Sequence, residues 1–599
     1  MSKELSAALW QEINARPRKV FLQLCDNSYS YQDLGKGIRN WCSLFDSHGV
    51  AAGSRVLIIC DDELLASTVF LAALLDNKVP VMLNPDSRLD RLTAVCRVTE
   101  PALVVAENLE TASQLQDQGF PSVSNIFETP TVSRTFLGRF RGSSLPSYPQ
   151  RDPGLSASGE ALAYILFTSG TTGEPSGVEI THAALQAHLT TLSRLFSYST
   201  DSCIANPTPL SHTDGLTQGL LLALYNGACL LRPGKFALDE LERWLDQFSR
   251  YGASHFITNP TTIALIEEFS QHDDYFNFEG FKAVISSASI LRSDLWNAFE
   301  KHFGCRLFNL YGMTETVANA TYAGRHPEMG KVGTIGLPID CEARVVNPAD
   351  GTTQVSGNGE LQLRGAHLCR GYWRNPERTQ RVFVPDGWFR TGDLVSRDPE
   401  GNLEFVGRLK SVINSGGLSI APEEIDEVLL AHFAVTESAT VGLPHPEFEE
   451  IAVSAVVTRQ PITPGELLAH ARQSLEPLKV PKKIIQVSSI PRGGAGKPDL
   501  ARLKVQLQEM TRHQVSEDEA RKSELVSMSD VINLAARVFN VAPNSLNADT
   551  SPATLSTWDS FNHLTLVVEA EATFEKSIPT AAIASISTLR ELHETLCCD

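Results

Sequence analysis

The stretch from Phe167 to His182, FTSGTTGEPSGVEITH, sets the hydroxyls of Thr168, Ser169, Thr171 and Thr172 among Gly170, Gly173 and Gly177, directly behind the apolar run ALAYIL. Glycines admit the positive φ angles that turn backbone N–H groups inward, and short hydroxyl side chains add donors, so such a loop after a strand suits phosphate oxygens. The same composition also serves a plain surface loop. The nucleotide-loop pattern G-x-x-x-x-G-K-[ST] is absent: Gly496-Lys497 is followed by Pro498, has Pro491 where the first glycine belongs, and Ser176 rather than a lysine precedes Gly177.

The elements that must hold this loop are legible in outline. From Val20 to about Glu107, strand-length apolar runs (VLIIC, VPVML, ALVVA) alternate with helical patterns, which predicts βαβ units and a mostly parallel sheet. Phe120 to Ala161 is rich in Ser, Pro, Arg and Gly and reads as a surface loop. Strands and helices alternate again to about Gly336. Short strands with turn residues then predict a small β-rich subdomain up to Asp398, and Ile420 to Lys497 reads as a compact α+β unit.

Composition narrows the class. With 599 residues the chain needs several cores, and 42% hydrophobic against 20% charged residues describes a globular protein rather than a disordered one. No run approaches the ~18–20 apolar residues of a membrane span, so a cytoplasmic protein without a membrane partner is expected. The eleven cysteines form no CxxC pair and read as reduced thiols. A net charge of −19 disfavours nucleic acid as a partner. Residues 524–599 hold ten Asp/Glu against three Lys/Arg, so this tail alone supplies −7 of that charge.

Five further segments follow the glycine-rich loop in order: NLYGMTET (Asn309 to Thr316), GELQLRG (Gly359 to Gly365), GWFRTGDL (Gly387 to Leu394), GRLKSVINSGGLSIAPEEID around Arg408, and PRGGAGKPD around Lys497. Each is weak alone; in this order, over roughly residues 20–505, they resemble the adenylate-forming superfamily of acyl- and aryl-CoA ligases, luciferases and peptide-synthetase adenylation domains. The resemblance implies an ATP- and Mg²⁺-dependent enzyme with an α/β fold: a large N-terminal lobe of mixed βαβ sheets (1–407), then a smaller, mobile α+β C-terminal lobe (408–508).

The resemblance also implies roles. Lys497 corresponds to the catalytic lysine bridging the substrate carboxylate and the α-phosphate, a junction of like charges that demands cations and pre-aimed donors. Glu315 corresponds to the Mg²⁺ ligand, a hard oxygen donor suited to that ion. Thr314 corresponds to a phosphate contact, Tyr311 to an aromatic against adenine, with Asn309 and Gly312 in the same segment. Asp393 and Arg408 correspond to the ribose carboxylate and its cation, Lys410 to the hinge, and Gly416 and Gly417 to the lining of a thiol channel. Two departures stand out: Ser176 replaces a lysine that grips outer phosphates, and SSASI (Ser286 to Ile290) has no glycine where the adenine strand carries one.

After a polar segment read as a linker (509–523), whose composition equally supports a short helix, the tail STWDSFNHLTLVVEAEATFEKSIP places Asp559-Ser560 before an amphipathic pattern with Leu564, Val567 and Val568 at helical spacing. Ser560 as a helix N-cap is one reading. The tail also resembles an acyl or peptidyl carrier protein, which implies an all-α four-helix carrier domain (524–599), 4'-phosphopantetheine on Ser560, a phosphopantetheinyl transferase to install it, and a downstream synthase or transferase that reads the loaded carrier.

The resemblance to the adenylate-forming superfamily implies that PTPLSHTDGLTQGLLLALYNG corresponds to the segment that meets a small carboxylic-acid substrate. His212 falls where amino-acid-activating relatives place an aspartate, and imidazole pairs poorly with ammonium, which favours an acid without an α-amino group. Asp214 two residues on keeps an amino acid open. Gly215 and Gly219 leave a groove for an acyl chain or permit close helix packing. Adenylation with self-loading of Ser560, release to free CoA, and a catalytically dead scaffold are the competing expectations.

Overall fold

The computed structural model describes residues 4–123, 150–168, 175–236, 240–348, 350–409, 413–415, 418–420, 422–445, 449–475, 479–492, 498–522, 527–539, 541–552, 554–555, 557–558, 563, 566–567, 569–570, 573–574, 578 and 586–597. The chain divides into two compact units, Met1–Lys504 and Val505–Asp599.

Two sheets organise the first unit. A nine-stranded sheet centres on the parallel strands Cys203–Ala205, His255–Thr258, Ala283–Ser286 and Leu307–Tyr311, and a seven-stranded sheet on Leu162–Thr168, Val79–Met82, Arg55–Ile59 and Leu103–Ala106. The strands read as apolar runs because both faces are covered. Alternate residues feed different cores: Phe256 and Val284 join a cluster with Trp244, Trp296 and Phe299, while Ile257 and Ile285 join the main core with Val56, Ile58 and Tyr164. Leu57 and Ile59 face a third cluster with Leu92 and Leu115. Helices Tyr31–Ser47, Glu63–Leu75 and His182–Phe196 contribute to the main core, so they lie between the two sheets.

Local chemistry starts the helices where the chain needs them. Ser30 and Asp33 form a reciprocal capping box, Asp62 and Thr181 accept from the N–H groups of Leu65 and Ala184, and Asn259 caps a helix that has Pro260 in its first turn.

The expected β-rich subdomain is a five-stranded antiparallel sheet, ordered Thr353–Gln354, Cys341–Val346, Gly357–Gly365, Phe389–Arg397, Leu403–Arg408. The small lobe pairs Val435–His445 with Glu449–Thr458 and adds Lys483–Gln486 in parallel, covered by helices Pro422–Leu430 and Pro464–Ser474. This is an α/β fold with a large N-terminal and a smaller C-terminal domain.

Of the two readings of the polar segment after the small lobe, linker or short helix, the helical one describes the chain as far as Lys522: a single helix runs Leu500–Lys522. It contains no glycine or proline and is rich in Gln, Glu and Arg, which keep most of their rotamer freedom in a helix.

The second unit, taken by itself, has helices Met528–Phe539 and Leu589–Cys597 around a core of Val531, Leu534, Phe539, Trp558, Leu566 and Leu592. Trp558 packs on Phe539 with ring centroids 4.9 Å apart, and its indole N–H donates to His563 at 3.1 Å.

Candidate active site

The strand Leu307–Tyr311 ends in a turn that glycine alone permits. A Cβ on Gly312 would stand 1.9 Å from the Ala318 carbonyl oxygen. The next residues wind into the 3₁₀ turn Thr314–Thr316, held by the Thr316 hydroxyl, which accepts from the Met313 N–H at 3.0 Å. Val317 closes it at φ +64°, a strained angle for a β-branched residue. Its carbonyl accepts from the Thr213 hydroxyl, which ties the turn to the segment carrying His212.

Glu315 is buried on this turn, with Oε1 accepting from the Tyr372 hydroxyl at 2.7 Å. Its own carbonyl accepts from the Cys369 N–H at 2.8 Å. The segment from Cys369 to Trp373 also grips the exit of the glycine-rich loop. Arg370 donates to Glu179 Oε2 at 2.8 Å, and the Trp373 N–H donates to the Gly177 carbonyl at 2.7 Å. One stretch of chain thus holds both the loop exit and the acidic turn. Burial and the Glu315 carboxylate hold the Tyr372 phenol protonated, so it remains a donor.

The structure brings Tyr311, Asp393 and Arg408 together. The Tyr311 hydroxyl donates to Asp393 Oδ2 at 2.6 Å, and Arg408 Nε lies 3.0 Å from Oδ1. Asp393 and Arg408 are register partners on adjacent antiparallel strands. Asp393 is 2% exposed, while the Arg408 side chain stands 58% exposed. Burial and the neighbouring carboxylate raise the Tyr311 phenol well above its ordinary range. Asn309 serves structure here, donating to the Thr334 carbonyl at 3.1 Å. Thr314 opens the Glu315 turn and is partly exposed.

His212 and Asp214 sit side by side. His212 Nδ1 accepts from the Asp214 N–H at 3.3 Å and lies 3.4 Å from Asp214 Oδ2. The Asp214 carboxylate is buried and already accepts from the Gln218 amide. Asp214–Leu221 is a π-helix. A Cβ on Gly215 would meet the carbonyl oxygens of Thr208 and Pro209 at 2.3 Å, so this glycine serves close packing of the preceding loop rather than an acyl groove. Arg232 fixes that loop by donating to the carbonyls of Asn206 and Thr208 while pairing with Glu63 at 2.6 Å.

Both sequence departures acquire a setting. Ser176 lies in the strand Ser176–Thr181 opposite Thr168, buried, with its hydroxyl unpartnered among the described residues. In SSASI, Ala288 takes φ +73°, a backbone angle that glycine adopts without cost. Thr168 ends its strand; Ser169, Gly170, Thr171, Thr172, Gly173, Lys410, Gly416, Gly417, Lys497 and Ser560 lie outside the described residues, as does the side chain of Thr168. Sequence reading missed Tyr372, Arg370, Thr213 and Gln218, whose roles depend on partners distant in the chain or one turn away on an unusual helix.

The family model for AMP-binding enzyme matches residues 9–373, and that for the AMP-binding enzyme C-terminal domain matches residues 424–497. The chain belongs to the AMP-binding enzyme family. Among members of this family, it is 34% identical over 363 residues to the sulfoacetate–CoA ligase of Cupriavidus necator, covering 59% of this chain and 70% of that protein. A probable CoA ligase of Humulus lupulus is 28% identical over 80% of this chain and 92% of its own. ATP-bound MatB from Rhodopseudomonas palustris superposes with a TM-score of 0.74 at 25% identity, over 85% of this chain and all of MatB. Among the described residues, no helix is long and apolar enough to cross a membrane.

Proposed function

We propose that this AMP-binding enzyme is an acid–thiol ligase that adenylates a small carboxylic acid with Mg·ATP and passes the acyl group to a phosphopantetheine thiol on its own Ser560. The observation that carries the first half is the convergence of Tyr311, Asp393 and Arg408 beside the buried Glu315 turn. Asp393 offers paired oxygens for vicinal hydroxyls, and Tyr311 offers an aromatic face. Mg²⁺ would supply charge neutralisation at the phosphates; Glu315 is the oxygen donor that fits it, kept in place by Tyr372. Lys497 would bridge carboxylate and α-phosphate, and the loop from Thr168 to Gly173 would cradle the outer phosphates.

His212 stands beside the buried Asp214, and an imidazole there pairs poorly with ammonium, which supports an acid without an α-amino group. The Cupriavidus relative, named for sulfoacetate, is in keeping with a small acid.

A second reading, release to free CoA, is favoured by the relatives, which are named as CoA ligases. Intact mass separates the two. The protein is treated with a phosphopantetheinyl transferase and CoA, then with Mg·ATP and a pool of carboxylic and amino acids. A pantetheine increment followed by an acyl increment supports self-loading. Full turnover with CoA by Ser560→Ala supports the second reading. Absence of pyrophosphate release with every acid overturns both.

A further inference from the structure

Glu423 occupies the first turn of the helix Pro422–Leu430, which opens the small lobe and packs against the strand Leu403–Arg408. Its Oε2 is buried and finds no hydrogen-bond partner among the described residues. The charged groups that act on it electrostatically come from three elements: Asp426 on its own helix, Arg408 on the adjoining strand, and Asp393 on the strand Phe389–Arg397. Asp426 is committed to the small lobe, accepting from the hydroxyls of Ser438 and Thr440 at 2.7 Å and from the Thr440 N–H at 3.1 Å. Glu423 therefore sits, with Oε2 buried and unpartnered among the described residues, on the helix of the small lobe that packs against the strand carrying Arg408.

The helix N-terminus and Arg408 favour a carboxylate here, but burial and the two neighbouring acids outweigh them and push the carboxyl up to about 7. Two other polar contacts across the lobes, among the described residues, are partly open to water. Arg459 pairs with Glu268 at 2.8 Å with both side chains 45% exposed, and Arg292 reaches the Leu430 carbonyl at 3.4 Å. Contacts of this sort hold weakly and let domains part.

We infer that Glu423 is a positioning residue that links the seating of the small lobe on the Asp393–Arg408 pair to a proton, its neutral form favouring the seated pose. The inference rests on the proposed reading, in which that lobe moves between half-reactions. Unseated, the carboxyl meets water and titrates near its ordinary ~4.3. Seating is then strongest below that value, weakens about tenfold per pH unit above it, and levels off once pH passes about 7.

The test is energy transfer between fluorescent unnatural amino acids installed at exposed Leu109 on the large lobe and Phe433 on the small lobe, read from pH 5.5 to 8 alongside pyrophosphate release. The seating equilibrium constant of the full chain is expected to fall about tenfold per unit up to near pH 7, that of Glu423→Gln to show no such slope, and that of Asp426→Asn to keep the slope but level off at a lower pH, since one of the acids that raise Glu423 is gone. A wild-type slope in Glu423→Gln, or its loss in Asp426→Asn, overturns the inference. If pyrophosphate is never released, the proposed function fails while the distance readout still tests Glu423.

Discussion

The Tyr311 hydroxyl donates a 2.6 Å hydrogen bond to Asp393, a carboxylate 82 residues further along the chain. The bond joins the end of the nine-stranded sheet to the β-rich subdomain, and Arg408 completes the cluster from the last strand before the small lobe. Asp393→Asn keeps the shape but removes the charge that both neighbours use. The expected outcome is an ATP KM raised ~10- to 100-fold, matching ~1.5–3 kcal/mol for hydrogen bonds to a charged group. Pyrophosphate exchange at varied ATP measures it, and an unchanged KM would remove Asp393 from the nucleotide site.

Tyr372→Phe deletes the donor to Glu315 and little else. Half-saturation by Mg²⁺ is expected to rise about tenfold, from the loss of one hydrogen bond to a charged acceptor, with thermal stability nearly unchanged. Titrating Mg²⁺ at fixed ATP separates this from a general loss of activity.

Gly215→Ala forces a methyl against two carbonyl oxygens and must move the loop that carries His212. Overpacking of this kind costs about 1–3 kcal/mol. The KM for the acid is expected to change more than that for ATP, and equal changes would show that the π-helix does not shape the acid pocket.

His182, His188 and His367 are buried, and burial lowers them to about 4, 3 and 4 respectively. His188 and His367 face each other with ring centroids 6.3 Å apart. All three are neutral in the fold and ordinary imidazoles in the unfolded chain. Their contribution is therefore complete above about pH 6.5 and is lost as pH falls through 4 toward 3. Each should add about 1.4 kcal/mol per pH unit to that loss across the window. Melting temperature measured from pH 7 to 4.5 should fall, and should fall less steeply in His188→Gln.

The elements that read clearly from sequence are those whose signal is local. The parallel strands appear as apolar runs, and Tyr311, Asp393 and Arg408 are found through motifs in a fixed order. The residues that were not legible act over long range: nothing near Tyr372 marks it as the partner of Glu315, and nothing near Thr213 points to Val317. In the segment 509–522 polar composition alone leaves linker and helix equally open, and the absence of glycine and proline is what lets the helix run on. Ala288 shows the converse: a missing glycine in SSASI does not mean a missing backbone conformation.

The π-helix Asp214–Leu221 carries its own consequence. Its wider winding accommodates more residues per turn than an α-helix does, so the chain here holds slack. Removing one residue between Gln218 and Leu221 would draw on that slack and let the segment rewind as an α-helix, with what lies beyond the deletion keeping its orientation. Chain length, independently of side-chain identity, can thus change by one residue here while the elements on either side keep their places.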